Sequence, residues 1–457
     1  MFGLWSCPQY LFNVMTLVAK IVDSELTVTC QSPLRNHVYS DLYTSHKRQP
    51  GPKAVIIFLQ LDRKYTPQNK SSCIYFFILQ MIPKAFVFSL TIVAISATCD
   101  REISRPVEWT GGNFEWPNPA TKSIYKTSGR FIQKNAIATR AQIYKDDVII
   151  ALPRYKDGVP ATLAKLSLKH KGCEATLTPF PCWSTQEEGN CNALQSVVDI
   201  VADSNEILWV LDVGVVNTLE TPIRRCPPKV IAVSLRTGKL VKTLDLSGLV
   251  AQASRLQYIA VEYAPDGRPY AYVSDAATRS ILVFDVAGNR GYRVVLPKAV
   301  VGNGKRDVLY IALIQKGCGN NFIVFTYLSS PKVFSIRTDY LRAGCTAGRI
   351  IDSGTKDGKI IILGTDLGTA IFFRYEGKPE VYRWDATTPL APGLPVLVYK
   401  SKKCYLSTQA LPDLKRERMR ILESNFPDFI QNTVGCGASQ RITLLGGCVN
   451  PKSTLPT

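Results

Sequence analysis

The sequence predicts an all-β fold, a six-bladed β-propeller of four-stranded antiparallel blades, and three observations point to it. Residues 194–246 contain four short apolar segments, separated by turn-forming sequences at 203–205 and 236–239. Units of the same kind recur along the chain, and no long helical pattern interrupts them. Four strands cannot form a domain alone, so the repeated units must pack on one another, as the blades of a propeller do.

The units follow one another without a linker. When their second strands are aligned, the strand ends are 59, 63, 52, 47 and 51 residues apart. A stack of β-sandwich domains is the alternative, but contiguous units of about fifty residues favour the propeller. The six units cover residues 137–168, 194–246, 256–296, 307–341, 359–400 and 404–445.

The first eighty residues do not show the blade pattern. Met81 is followed by a basic residue, Lys84, an apolar run at 85–95 and small residues at 94–98, the order typical of a secretory signal peptide. We therefore expect Met81 to be the true start and residues 1–80 to be a gene-model extension. A long-signal precursor and a membrane-anchored form are the alternatives, although the apolar run is shorter than the about twenty residues of a spanning helix.

The expected organisation follows from these segments. The chain would consist of an unassigned stretch at 1–80, a signal peptide at 81–99, the propeller at 100–447 and a C-terminal tail at 448–457. We expect the mature protein to be extracellular and to have no membrane partner.

The net charge gives a second indication of the environment in which the protein acts. Without residues 1–97 the chain carries 46 Lys+Arg and 32 Asp+Glu, a net charge of +14. Such a protein is expected to associate with an anionic extracellular matrix, and a basic solvated surface is the simpler alternative. No compact basic and aromatic motif predicts specific nucleic-acid binding.

Cysteine content agrees with export, because ten of the 13 cysteines lie at or beyond Cys99. In a four-stranded meander, the loop that enters the first strand and the loop between strands two and three lie on the same face. This rule gives two predicted disulfides, and a third pair would lie on the opposite face of the fourth unit. The predicted pairs are Cys191–Cys226, Cys404–Cys436 and Cys318–Cys345.

The scarcity of histidine limits the catalytic mechanisms that the sequence supports. Outside residues 1–97 the only histidine is His170, in a polar turn after a strand. Ser-His-Asp catalysis and a multi-histidine metal site therefore have little support. The chain also has no Walker loop, no dinucleotide fingerprint, no GxSxG and no CxxC pair, so we expect neither a cofactor nor a metal.

The predicted channel supplies the remaining candidate site. First strands would line it, and the ends of second strands would bring polar and aromatic side chains to one mouth, a site that suits a small aromatic amine. Asp212 and Asp275 could pair with the cation, or they could bind neighbouring backbone amides, as Asp commonly does at strand ends. The mouth residues are Pro153, Arg154, Asp212, Asp275, Tyr327, Arg374 and Asn425.

Dispersed motifs in the sequence resemble the insect yellow / major royal jelly protein family. The resemblance runs from about residue 107 to 445, and the segments at 186–191 and 326–331 are most similar to the yellow-g branch. The motifs are FEWP (114–117), IALPR (150–154), GVPAT (158–162), EGNC (188–191), LWVLDVG (208–214), RCPPK (225–229), VSD (273–275), LESNF (422–426) and NTVGC (432–436).

The resemblance implies a secreted six-bladed propeller. Some family members convert dopachrome, salivary members bind biogenic amines in the channel, royal jelly members are nutritive, and the yellow-g branch is associated with eggshell and ovary. In the salivary binders, a channel Thr and a nearby Asn-aromatic pair contact the amine. The matching positions here are Thr408, Asn425 and Phe426.

Two hypotheses from different classes remain. The favoured one is a non-enzymatic secreted propeller that binds a small aromatic amine or serves an extracellular layer such as eggshell or cuticle, because no acid–base pair stands out in the sequence. The alternative is a dopachrome tautomerase or decarboxylase of the melanin pathway. Its proton transfer would then use Asp212, Asp275, Glu423 or Tyr327.

Overall fold

A ring of six small antiparallel sheets forms the fold. The computed structural model describes residues 105–445, apart from positions 171, 173, 305, 317, 318, 345 and 404. The expectations for residues 1–80, the signal peptide at 81–99 and the tail at 448–457 lie outside these residues. Within them, six four-stranded sheets are present. The predicted six-bladed propeller is therefore confirmed.

The first three blades follow the N-terminal strand β1 (Val107–Thr110) and helix α1 (Pro119–Thr127). Blade 1 contains β2 (Arg140–Tyr144), β3 (Asp147–Ala151), β4 (Leu163–Ser167) and β5 (Thr178–Pro179). Blade 2 contains β6 (Val197–Ala202), β7 (Ile207–Asp212), β10 (Lys229–Ser234) and β11 (Leu240–Asp245), with a small hairpin of β8 (Val215–Val216) and β9 (Ile223–Arg224) between them. Blade 3 contains β12 (Leu256–Tyr263), β13 (Pro269–Asp275), β14 (Ser280–Asp285) and β15 (Arg290–Val295).

The last three blades complete the ring. Blade 4 contains β16 (Leu309–Gln315), β17 (Asn321–Tyr327), β18 (Lys332–Arg337) and β19 (Ile351–Thr355), with α2 (Thr338–Arg342) between the last two strands. Blade 5 contains β20 (Ile360–Thr365), β21 (Ala370–Tyr375), β22 (Glu380–Asp385) and β23 (Val396–Lys400). Blade 6 contains β24 (Leu406–Asp413), β25 (Arg418–Ser424) and β26 (Ser439–Leu444), with α3 (Phe426–Ile430) before β26.

The N-terminal strand closes the ring, a feature that the sequence pattern does not predict. The sequence predicts only three strands for the last unit, and β1 supplies the fourth by antiparallel pairing with β26. Val107 pairs with Ile442, and Trp109 pairs with Gln440. The pairing is missed because a four-residue strand carries no periodicity of its own and its partner lies more than 300 residues away.

Each sheet is packed between two neighbouring blades, which explains the sequence pattern of its middle strands. A sheet that is covered on both faces buries successive side chains, so its strands contain continuous apolar runs rather than alternating ones. All six residues of β14 are buried, whereas the outermost strands β11 and β15 are largely exposed. The apolar clusters accordingly combine adjacent blades, for example blades 2 and 3.

The six first strands line the axis. Strands β2, β6, β12, β16, β20 and β24 contact their neighbours in a closed ring. Several of them contain a β-bulge near the same end, at Val198 in β6, at Gln257 and Tyr258 in β12, and at Thr408 in β24. All four of these residues keep part of their surface accessible. Bulges re-aim side chains and are frequent beside functional sites.

One predicted disulfide is present. Cys191 and Cys226 are bonded, with their Cα atoms 5.4 Å apart, and they join the loop before β6 to the loop before β10. Cys436 instead carries a free, exposed thiol, so the predicted bond to Cys404 is not formed. Its predicted partner lies outside the described residues, as do Cys318 and Cys345. The loop rule places cysteines on one face, but it does not fix the distance between them.

No helix among the described residues combines the length and the apolar character needed to cross a bilayer. The longest, α1, has nine residues.

Replacing Trp109 by alanine should weaken ring closure. The Trp109 side chain is 2% exposed and packs in the apolar cluster around blades 1 and 6. Removing a buried tryptophan creates a cavity that costs about 3–5 kcal/mol of unfolding free energy. Urea denaturation of Trp109→Ala would measure the loss, with the half-buried neighbour Thr110→Ala as the matched control. Equal stabilities for the two variants would contradict the closure role of β1.

Candidate functional site in the channel

The predicted mouth residue Asp212 is committed to backbone hydrogen bonds. Its side chain is fully buried at the end of β7. One carboxylate oxygen accepts from the amides of Ser196 and Gly214, and the other accepts from Gln195 at 2.8 Å. The Lys229 ammonium lies 3.0 Å from the same carboxylate. These contacts are those of the alternative role foreseen for Asp212, in which it organises the loop before β6.

Asp275 has the equivalent environment in blade 3. Its carboxylate is fully buried and accepts from the amides of Arg255 and Ala277 and from the Thr278 hydroxyl at 2.6 Å. The next mouth residue, Tyr327, is 1% exposed and donates its hydroxyl to the Ala276 carbonyl at 3.0 Å. Burial raises the pKa of Tyr327, so the phenol keeps its proton. A ligand role for these residues stays a prediction.

Arg154 joins the β3–β4 loop of blade 1 to the loop that enters blade 2. Its guanidinium is 2% exposed and donates to five backbone carbonyls. Burial lowers the pKa of Arg154 to about 10, which still leaves it cationic at neutral pH. The acceptors are the carbonyls of Val159, Pro160, Gln186, Leu194 and Gln195. A guanidinium with so many acceptors fixes loop geometry in addition to any role toward a ligand.

Glu423 lies between blades 5 and 6. It accepts hydrogen bonds from the Tyr399 hydroxyl at 2.8 Å and from the Arg441 guanidinium. Its side chain is fully buried, and its second carboxylate oxygen has no partner within the described structure. A buried, ion-paired carboxylate of this kind is well suited to joining two blades.

The three residues carried over from the salivary amine binders make separate contacts. The hydroxyl of Thr408 lies 3.4 Å from the Leu422 carbonyl. Asn425 stands at the N-cap position of α3, and its side-chain oxygen accepts from the Ser439 amide at 2.8 Å. The Phe426 ring stacks on Phe429 at a centroid distance of 6.1 Å. Their ligand role also stays a prediction.

A different set of groups meets on the axis. Arg140 on β2 and Asp199 on β6 form an ion pair, with Nε and Oδ1 3.3 Å apart and side chains only 10% and 8% exposed. Arg140 also donates to the Thr408 carbonyl at 2.5 Å and lies 4.8 Å above the Tyr258 ring. The amides of Ile200 and Ile259 donate to the two oxygens of Asp199. The ion pair therefore connects blades 1, 2, 3 and 6.

Three tyrosines and a second arginine complete this group, which we name the channel cluster. The rings of Tyr258 and Tyr310 lie 5.1 Å apart, on the first strands of blades 3 and 4. Arg374 on β21 donates to the Ser407 carbonyl at 2.8 Å, and burial lowers its pKa. Tyr155 and Tyr258 both keep some accessible surface. The channel cluster consists of Arg140, Asp199, Tyr155, Tyr258, Tyr310 and Arg374.

Burial changes the acid–base properties of the channel cluster. It raises the pKa of Asp199 from 3.8 to about 6, and the Arg140 charge only partly offsets this effect. It also raises the pKa of Tyr155 to about 12 and that of Tyr310 well above its ordinary value. At neutral pH the cluster therefore combines a weakly basic carboxylate, neutral phenols that donate hydrogen bonds, and two guanidiniums. This set of groups can accept a proton and stabilise a developing oxyanion.

The sequence gives one signal for this cluster, which the prediction did not use. Asp199 stands alone in the apolar run VVDIVA, where a strand of the core has no reason to carry a carboxylate. The ends of second strands, where the candidate site was expected, instead hold Asp212 and Asp275, which accept from backbone amides. Arg374 is the one residue common to the predicted mouth and the channel cluster.

Comparison with known proteins identifies the family. A family model described as "Major royal jelly protein" matches residues 195–444, which is more than half of the chain. The chain belongs to the yellow / major royal jelly protein family. The match covers blades 2 to 6, including four residues of the channel cluster, Asp199, Tyr258, Tyr310 and Arg374.

This royal jelly family protein is similar to two named insect proteins. It is 28% identical over 192 residues to the dopaminechrome tautomerase of Drosophila melanogaster, covering 41% of this chain and 42% of that protein. It is 24% identical over 278 residues to protein yellow of Drosophila pseudoobscura pseudoobscura, covering 56% of this chain and 50% of that protein. The aligned part thus spans about half the length of these relatives.

Among solved structures, this protein resembles a calcium-binding regucalcin from Agrobacterium tumefaciens. The TM-score is 0.40 at 13% identity, over 70% of this chain and 94% of that one. A TM-score this low supports no conclusion about function.

The raised pKa of Asp199 should make the stability of the protein depend on pH. The folded state holds the Asp199 proton up to about pH 6, whereas the unfolded chain loses it near pH 3.8. The free energy of unfolding should therefore fall as pH rises through this window, by up to about 3 kcal/mol relative to Asp199→Asn. Denaturant unfolding of both proteins between pH 4 and pH 7 measures the difference.

Asp245, an exposed carboxylate at the end of β11, provides the control for this measurement. Asp245→Asn removes one carboxylate from the surface and so reports the effect of losing a negative charge outside the channel. If the free energy of unfolding changed with pH in the same way for the wild type and for Asp199→Asn, Asp199 would titrate at its ordinary pKa.

Proposed function

We propose that this protein isomerises small catechol-derived quinones of the aminochrome type in its channel, with Asp199 as the proton acceptor. One observation carries the proposal: a buried carboxylate with a pKa of about 6 lies on the axis beside a guanidinium and neutral phenols. A general base is most effective when its pKa is near the working pH. The 28% identity to a dopaminechrome tautomerase supports the same reaction class.

The reaction requires only proton transfer. In an aminochrome, two protons leave the saturated carbons of the five-membered ring, and the two quinone oxygens each gain one, giving a dihydroxyindole. The product is an isomer of the substrate, so no oxidant or reductant is consumed. Asp199 would remove a carbon-bound proton, while Arg140 and the Tyr258 and Tyr310 phenols would donate hydrogen bonds to the oxygens as negative charge develops.

The charge of the channel cluster favours a quinone over an aromatic amine. The cluster contains two guanidiniums and one carboxylate, so it has a net charge of +1 even when Asp199 is ionised. An ammonium group would be repelled by the arginines and would compete with Arg140 for the same carboxylate. Quinone and catechol oxygens, in contrast, accept hydrogen bonds from both guanidiniums and phenols.

We infer an extracellular place of action for this activity. The signal-like segment at 81–99 and the Cys191–Cys226 disulfide both suit an exported protein. The net charge of the chain without its first 97 residues, +14, suits association with an anionic layer such as eggshell or cuticle. A non-enzymatic binder in the same layer is the second candidate, and turnover separates the two.

Asp199→Asn should abolish most of the turnover of dopaminechrome. Loss of a general base typically lowers kcat by about 10²–10⁴-fold. Tyr258→Phe and Tyr310→Phe should each reduce kcat by a smaller factor, because each removes one donor to the oxyanion. In the wild type, kcat/KM should rise with pH through about 6 as Asp199 loses its proton. Absorbance of the quinone and of the indole product measures all four proteins.

Asp245→Asn, which removes an exposed carboxylate at the end of β11, is the matched control and should keep full turnover. Wild-type rates in Asp199→Asn would remove Asp199 from the mechanism. No turnover by the wild type above the uncatalysed rate would instead favour the non-enzymatic binder.

Ligand charge provides an independent test of the channel cluster. Dopamine and 3,4-dihydroxyphenylacetate share a catechol ring and carry opposite charges on their side chains. The acid should bind more tightly, because the cluster is net positive, and Arg140→Gln should reduce this preference. Calorimetric titration of both ligands measures the ratio of the two Kd values. Tighter binding of dopamine would support the amine binder expected from the salivary relatives.

A further inference from the structure

A cleft lies at the ends of blades 3 and 4. It has a volume of about 390 Å³, within the range of small-molecule sites. Two arginines, Arg255 and Arg279, line it together with the Tyr327 side chain. The remaining wall is made of the acidic residue Asp307 and of small apolar residues, namely Ala253, Ala276, Ala277, Val301 and Gly304. None of these residues belongs to the channel cluster.

The two guanidiniums are only partly satisfied. Arg255 donates to the Asp307 carbonyl at 3.1 Å, and Arg279 donates to the Leu296 carbonyl at 3.2 Å. Neither forms an ion pair with a carboxylate within the described part of the chain, and the buried Nε of Arg255 has no hydrogen-bond partner there. A buried donor without a partner costs about 1–3 kcal/mol, so its presence calls for an explanation.

The nearby carboxylates are already engaged elsewhere. Asp307 accepts from the amides of Val308 and Ser329 and from the Ser329 hydroxyl. Asp275 accepts from backbone amides and from Thr278, and it is fully buried. Both carboxylates therefore organise their own loops, and the donors of Arg255 and Arg279 remain available to the cleft. Arg342, which also lies in this half of the ring, instead pairs with Glu262.

The shape of the cleft indicates the class of ligand. Two guanidiniums on one cleft form the usual protein arrangement for recognising an oxyanion through several charge-assisted hydrogen bonds. The volume exceeds what an inorganic ion fills, and the Tyr327 ring adds an apolar wall. The Tyr327 hydroxyl is bonded to a carbonyl, so the ring rather than the phenol would contact a ligand.

We propose that this cleft binds the anionic oxygen group of a small organic ligand, a carboxylate, phosphate or sulfate, through Arg255 and Arg279. The anion accepts hydrogen bonds from both guanidiniums, whose donors are only partly used within the protein. The organic part of the ligand occupies the space over the small residues and against the Tyr327 ring. The site is independent of the quinone chemistry in the channel.

Calorimetric titration with inorganic phosphate, inorganic sulfate and a sulfated disaccharide tests the proposal on the secreted protein. Wild-type protein should bind at least one of the three in a saturable manner, and affinity should fall with added sodium chloride. Arg255→Gln and Arg279→Gln should each weaken binding about tenfold or more. Tighter binding of the disaccharide than of free sulfate would identify a glycan ligand, and the reverse order would identify a free anion.

Two further variants distinguish a loss of anion binding from a loss of folding. Arg293→Gln removes one positive charge from an exposed position of the same blade and should bind the anions as the wild type does. Ala277→Glu places a carboxylate in the cleft without removing a hydrogen bond, and it should abolish binding by repulsion while the thermal unfolding temperature is maintained. Unchanged affinity in Arg255→Gln, Arg279→Gln and Ala277→Glu, or no saturable wild-type binding of any probe, would overturn the proposal.

Discussion

The pairing of β1 with β26 is the constraint on which the rest of the structure depends. Every blade except the last is a continuous stretch of chain, and each sheet buries both faces only because it has a neighbour on either side. Without closure, blades 1 and 6 would expose the apolar faces that now contain Trp109 and Ile442. The four residues of β1 therefore convert an open stack into a ring, and the ring defines an axis where side chains from all blades can meet.

That axis explains why charged groups are buried at the centre of the molecule. First strands converge there, and bulges at Val198, Tyr258 and Thr408 interrupt their regular alternation. An ion pair such as Arg140–Asp199 gains little stability from burial, since its desolvation cost is comparable to its attraction. Its presence at the axis, with three tyrosines around it, is better explained by chemistry than by folding. The carboxylates Asp212 and Asp275 are the contrasting case, because they lie at the ends of second strands and hold the adjoining loops in place.

The fold was predictable from the sequence to a greater extent than the site. Strand runs and turns repeat locally, so the blades, their order and the Cys191–Cys226 bond followed from short segments. Closure by β1 did not follow, because it joins segments that carry no shared pattern. The channel cluster was harder to predict than the closure of the ring. Arg140 and Thr408 are 268 residues apart in the sequence, and only the curvature of the whole ring brings them together. The isolated carboxylate of Asp199 was the one local clue.

The channel groups lie on separate blades, and this arrangement affects how such a protein can change during evolution. Arg140, Asp199, Tyr258, Tyr310 and Arg374 each belong to a different blade. A substitution at any one of them changes a single wall of the channel and leaves the sheets that support the other four in place. Selection can therefore alter the polarity, size and acidity of the lumen one position at a time. One scaffold can in this way give rise to catalysts, carriers and inert structural proteins without passing through an unfolded ancestor.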